Sequence, residues 1–104
     1  MPYIKQDKRD ILDPAIAELF TLLINLQLDD ESNNMEGNMN YIFTKLLKQC
    51  YGDSYGEIND ALGVLSAVQL EFYRRVAAPY EDQKIYDNGD VEKINPHGAV
   101  DKQP

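Results

Sequence analysis

The sequence predicts an all-α fold, and three observations predict it. Apolar residues recur at three- and four-residue spacing in three long stretches. Helix-entry and helix-stop signals bracket those stretches. A hydrophobic fraction of 43%, with only five prolines and six glycines, belongs to a folded chain rather than a low-complexity one. At 104 residues the chain fits one domain, expected over residues 1–91 with an extended or mobile tail over 92–104. A domain this small buries a modest share of its surface alone, so the expected architecture is three main helices and a short C-terminal one after Pro79, intertwined or packed as a symmetric homo-oligomer.

The first ten residues are polar apart from a Pro2-Tyr3-Ile4 extension, expected to lie as an arm across the body or a neighbour. Asp13 followed by Pro14 reads as an N-cap and first helical position, so the first helix is expected from Asp13 to about Leu28. Its apolar residues, Ile16, Leu19, Phe20, Leu22, Leu23, Ile24, Leu26 and Leu28, cover more than half the circumference, which predicts burial on several sides. Asp29 to Asn34, DDESNN, should be a loop. A second helix is expected from Met35 or Gly37 to Tyr51, with Met39, Ile42, Phe43, Leu46, Leu47 and Cys50 in one stripe. Cys50 on that stripe reads as a small buried hydrophobe.

Gly52 stops the second helix, and Ser54 with Glu57 has the capping-box spacing for the third, expected to be the longest. Ile58, Leu62, Leu65, Val68, Phe72, Val76 and Tyr80 form its main stripe. Gly63, Ala67 and Leu70 line a second, small-residue face that admits a close neighbour, such as another subunit's helix. Pro79 is expected to break or kink this helix and leave a short one over Tyr80–Tyr86, closed by Asn88-Gly89. No internal repeat is visible.

Charge narrows the function. With 18 acidic against 10 basic side chains the formal charge is −8, which repels a polyphosphate backbone and argues against extended nucleic acid as a partner. A small phosphorylated ligand is not excluded, because two or three arginines can hold one locally. One cysteine cannot form an intrachain disulfide, in keeping with a reducing, cytoplasmic setting. No export signal is visible and no apolar run approaches the roughly 20 residues of a membrane span, so no membrane partner is expected.

The richest segment is LEFYRRVAAPYEDQKIYDNGD, Leu70 to Asp90. Arg74 lies near the small-residue face, where a symmetric copy would bring a second Arg74 close. With Tyr73 and Tyr80, which share a face at seven-residue spacing, it could hold a ligand carrying phosphates and a flat base. Asn40 and Lys84 are further candidates for ligand contact. The plainer alternative pairs Arg74 and Arg75 with Glu71, Glu81 or Asp82 along the helix, makes the tyrosines seam residues, and makes Asn38 and Asn40 helix caps. Glu57 and Asp60 are weak metal-ligand candidates. Their Glu-x-x-Asp spacing resembles that of all-helical, magnesium-dependent nucleotide pyrophosphatases, but those need a Glu-x-x-Glu on an earlier helix, where this chain has Glu18 and then Thr21. His97 stands alone. No phosphate loop, nucleophile with a base, or zinc-ligand spacing is present, so no catalytic residue and no cofactor is expected and the chain does not read as an enzyme.

MPYIKQ, LDPAI, NMNYIFTKLL and LEFYRRVAAPYEDQKIYDNGDV together resemble a family of short, uncharacterised, all-helical proteins of tailed phages and prophages, through about Val91. The resemblance implies a phage accessory protein in the cytoplasm of a bacterial host. Some small phage proteins sequester cyclic nucleotides or ADP-ribose derivatives and so silence host defence signalling, and this chain is similar to those in size and expected oligomerisation. The leading expectation is therefore a non-enzymatic binding protein that sequesters a small nucleotide-type signal. A structural or host-protein-binding inhibitor without a small ligand is the alternative, and a metal-dependent nucleotide pyrophosphatase the minor one.

Overall fold

In a computed structural model, which describes residues 2–92, the chain is all-helical, and no strand occurs among the described residues. Four α-helices and one π-helical turn follow each other: α1 (Gln6–Asp29), α2 (Met35–Cys50), α3 (Tyr55–Phe72), the π turn (Tyr73–Ala77) and α4 (Ala78–Asn88). The chain divides into two compact units, Met1–Leu65 and Ser66–Pro104. The expected tail beyond Glu92, with His97, lies outside the described residues.

In the first unit, α1 starts seven residues earlier than the Asp13-Pro14 signal predicts, and Pro14 lies inside it. The missing Pro14 N–H leaves one carbonyl of the first turns without its helical donor. Local bonds hold those turns nonetheless: the Lys5 carbonyl accepts from the amides of Lys8 and Arg9, Gln6 Nε2 donates to Asp10 Oδ1 at 2.8 Å, and Arg9 Nε donates to the Ile4 carbonyl at 2.7 Å. At 24 residues α1 is longer than α3 at 18, although α3 continues without a gap through the π turn into α4.

The expected loop forms between α1 and α2. Asp30 Oδ1 accepts from the Ser32 amide at 3.0 Å and its hydroxyl at 2.6 Å, an Asx-type turn. Those two bonds, the side-chain one first, hold the Asp30 carboxyl below its usual range. Asn34 caps α2 by accepting the Gly37 amide, while Asn38 Nδ2 ties the helix back to Asn33. Helices α1 and α2 pack against each other.

The start of α3 is a capping box. Ser54 Oγ accepts the Glu57 amide at 3.3 Å and donates to Glu57 Oε1 at 2.8 Å, and the Gly52 amide donates to Oε2 at 2.7 Å. A Cβ at Gly52 would meet the Glu57 carboxylate, so a side chain there would have to push that carboxylate out of the cap.

In the second unit the expected short C-terminal helix forms as α4, though it begins at Ala78 rather than Tyr80 and no break precedes it. The chain passes from α3 through the π turn directly into α4, with Pro79 in the first turn of α4. The Ala78 amide reaches back five residues to the Tyr73 carbonyl. One extra residue in that turn reshapes the carbonyl row just before Pro79, where a regular α-helix would set the proline ring against the carbonyl four residues back. Asn88-Gly89 ends α4 as expected, with the Gly89 amide on the Ile85 carbonyl at 2.8 Å and Gly89 at φ +88°.

Burial departs most from expectation. Leu23, 8% exposed, is the one buried apolar residue among those described, while large apolar side chains of every α-helix except α4, where Tyr80 and Tyr86 take that place, remain exposed. The faces of α1 expected to be buried on several sides are open, as is the main stripe of α3. Cys50 is exposed rather than buried. A periodic stripe marks what would gain from burial, and among the described residues most of it is exposed.

Candidate functional site

Tyr73, Arg74, Tyr80 and Lys84 lie on the π turn and α4. Asn40 lies on α2 in the other unit, and the two places are described separately. Arg74 Nη2 donates to Glu71 Oε1 at 3.0 Å and Oε2 at 3.2 Å, one of the helical pairings the sequence allows. No ion pair among the described residues holds Arg75, for which the sequence allows the same partners. Lys84 Nζ stands 5.4 Å from the centre of the Tyr80 ring, within cation–π range.

The π turn changes which residues share a face. In an unbroken α-helix Tyr73 and Tyr80 nearly eclipse and Tyr73 and Glu81 stand about 80° apart. The extra residue in the turn moves Tyr80 off that line and brings the eighth residue into it. With Glu81 turned toward it, the Tyr73 hydroxyl has its pKa raised above the usual 10.0, first through hydrogen bonding to the Glu81 carboxylate and then through the Glu81 charge. Sequence spacing could not show this, because a π turn carries no composition of its own.

On α2, Asn40 is exposed and accepts from the Thr44 hydroxyl at 3.2 Å. It borders an open groove with Asn34, Glu36, Gly37, Tyr41 and Thr44. A second shallow groove runs along Tyr41, Lys45 and Lys48, in which Lys45 Nζ lies 5.4 Å from the centre of the Tyr41 ring and 3.1 Å from its hydroxyl. Both Tyr41 and Lys45 escaped the sequence reading, although aromatic and lysine at four-residue spacing was the available signal. Lys48 and Asp53 form an exposed pair at 3.8 Å, a geometry of little energetic weight.

Glu57, one of the two weak metal-ligand candidates, has both carboxylate oxygens engaged in the α3 cap. No group of three or more metal-ligating side chains stands together among the described residues. Helix α1 is long and apolar enough to cross a membrane by length and composition, with a mean hydropathy of 1.5 over its best 18 residues. That differs from the expectation, which counted only uninterrupted apolar residues. Asp13 and Glu18 fall inside α1, and charged groups at a membrane's centre cost about 2.5–3.5 kcal/mol each.

Fold and sites together define a class: a small all-helical protein whose single chain leaves most of its apolar side chains open and carries polar-aromatic pairs on the surface. The chain belongs to the family described as a domain of unknown function (DUF6899), whose model matches residues 1–91. No curated protein and no solved structure matches it.

Proposed function

We propose that this protein is a non-enzymatic binding protein that acts as a homo-oligomer. The observation that carries the reading is the contrast between one buried apolar side chain, Leu23, and the exposed large apolar residues of α1, α2 and α3. Soluble monomers rarely leave contiguous apolar surface of this kind open. Copies of the chain are the partner always present at matching concentration. A phage or prophage accessory role accords with the sequence resemblance, and a bacterial cytoplasm would be its setting.

A second reading gives the oligomer a ligand. Tyr73, Arg74, Tyr80 and Lys84 combine cations with aromatic faces beside a π turn, a feature frequent at functional sites, and a small nucleotide-type molecule offers both phosphate and a flat base to such groups. Binding of a host protein is the competing role. Native mass spectrometry of protein purified from a bacterial host, followed by denaturation, tests both. An oligomer is expected, and release of a nucleotide-mass species would assign the ligand. An empty oligomer would favour a protein partner, and a monomer would overturn the proposal.

A further inference from the structure

The end of α4 sets a side-chain carboxamide beside a backbone amide that little shields. Asn88 is the last residue of α4, and Gly89 follows it outside the helix. Asn88 is exposed. No hydrogen bond among the described residues engages its side chain, whereas Gln83 and Asp87, on the preceding turns, hold each other at 2.9 Å. A Cβ added to Gly89 would meet no atom within 4 Å, and its φ of +88° is a conformation that glycine adopts freely. The Gly89 amide donates to the Ile85 carbonyl at 2.8 Å, the last bond of the helix. Tyr86 and Val91, on either side, are 79% and 93% exposed, so solvent reaches this junction from both directions.

We propose that Asn88 is a site of spontaneous covalent modification, in which its carboxamide is lost as ammonia and replaced by a carboxylate, with water as the only co-reactant. In the first step hydroxide takes the proton of the Gly89 amide, and the freed nitrogen bonds to Asn88 Cγ. The Cγ–Nδ2 bond then breaks, and ammonia leaves with a proton from water, which regenerates the hydroxide. A five-membered cyclic imide remains. In the second step water adds to one of its two carbonyls. Opening at Cγ leaves aspartate on the ordinary backbone, and opening at the main-chain carbonyl leaves isoaspartate, with the chain running through Cγ. Nothing is oxidised or reduced.

Gly89 is what singles out this asparagine. Ring closure presses the side chain of the following residue against the ring, and glycine has none. Every other asparagine among the described residues precedes a residue that carries a side chain. Asn34, Asn38 and Asn40 are also tied by hydrogen bonds to Gly37, Asn33 and Thr44. Asn25 and Asn59 lie inside α1 and α3, where the following amide belongs to the hydrogen-bond ladder.

The helix sets the rate. While the Gly89 amide is bonded to Ile85, its nitrogen is not free to turn toward Cγ. Terminal turns open at little cost, so the reaction draws on the frayed fraction. The product then reinforces the opening. Isoaspartate adds one carbon to the main chain between residues 88 and 89 and displaces the Gly89 amide from Ile85. Either product sets a new negative charge between Asp87 and Asp90, at the helix end where the dipole disfavours one.

The test is incubation of the full-length chain at mildly alkaline pH, with the free tryptic peptide Ile85–Lys93 alongside, and peptide mapping by mass spectrometry. Asn88 is expected to convert ahead of every other asparagine, to both aspartate and isoaspartate, the latter detected as a substrate of a protein isoaspartate methyltransferase. Conversion in the folded chain should be slower than in the free peptide by the same factor that slows hydrogen exchange of the Gly89 amide. Asn88→Gln, which cannot close a five-membered ring, should leave the segment unmodified. An Asn88 that stays intact in the folded chain while the free peptide converts would overturn the proposal, as would another asparagine converting as fast. Unequal slowing factors would overturn the route through the frayed turn.

Discussion

Replacing Glu57 with alanine removes both acceptors of the α3 cap at once. The Gly52 amide, 2.7 Å from Oε2, and the Ser54 hydroxyl, 2.8 Å from Oε1, lose their partner, while the Ser54 acceptor for residue 57's own amide survives. A net value of about 0.5–1.5 kcal/mol per hydrogen bond, reduced because the site is exposed and water can replace the carboxylate, gives a loss of about 1–2 kcal/mol, in the range of cap substitutions. With a urea m-value of about 1–1.5 kcal/mol/M, the midpoint should fall by roughly 1 M, read by circular dichroism at one fixed protein concentration because self-association shifts apparent stability. Gly52→Ala should destabilise in the same direction, since its Cβ would press into the Glu57 carboxylate. The two changes should not add, because alanine at position 57 removes the clash. A midpoint unmoved by Glu57→Ala, or full additivity in the double variant, would refute the capping account. If Glu57 instead held a metal with Asp60, manganese would raise the midpoint of the unmodified chain, and the capping account predicts no such rise.

Further outcomes follow from other local devices. Gly89→Ala places a side chain at φ +88°, a backbone region that costs other residues about 1–3 kcal/mol, and should unwind the last turn of α4, read as early amide exchange near Ile85. Pro14→Ala restores the missing donor inside α1 and removes a penalty of up to about 3 kcal/mol, so it should raise helicity and melting temperature. The Tyr73 pKa is raised, so the contribution of its bond to Glu81 is present below pH 10.0 and is lost as the pH climbs through that higher value. Subtracting the ultraviolet titration of Tyr73→Phe isolates the group, and Glu81→Gln should lower its midpoint. Arg74→Ala breaks an exposed pair worth at most about 1 kcal/mol and should leave stability nearly unchanged while removing any nucleotide-type ligand.

Element ends were readable wherever a single residue type dictates local geometry. Gly52 and the Ser54–Glu57 box, the DDESNN loop and the Asn88-Gly89 stop all stand where their backbone chemistry requires. Asp13-Pro14 misled because a proline tolerated inside a helix carries the same two-residue signature as one that opens it, and the bonds that extend α1 back to Gln6 come from side chains of no fixed pattern. Pro79 located the short C-terminal helix but not the manner of its start, because a π turn leads into it without a break. The apolar residues of α1 from Ile16 to Leu28 were visible, but periodicity says only that a face gains from burial, not what supplies the cover. For the candidate site, adjacency of Tyr73, Arg74 and Tyr80 in sequence was legible. The pairing of Tyr73 with Glu81 was not, since it depends on one extra residue in a single turn.

The central claim is that a second copy covers the apolar faces one chain leaves open. Sedimentation equilibrium across a dilution series reads it directly. The account predicts a dimer or larger symmetric species whose dissociation, brought on by dilution, exposes apolar surface that binds a hydrophobic dye. A chain that sediments as a monomer throughout the series, with dye binding unchanged by concentration, would contradict it.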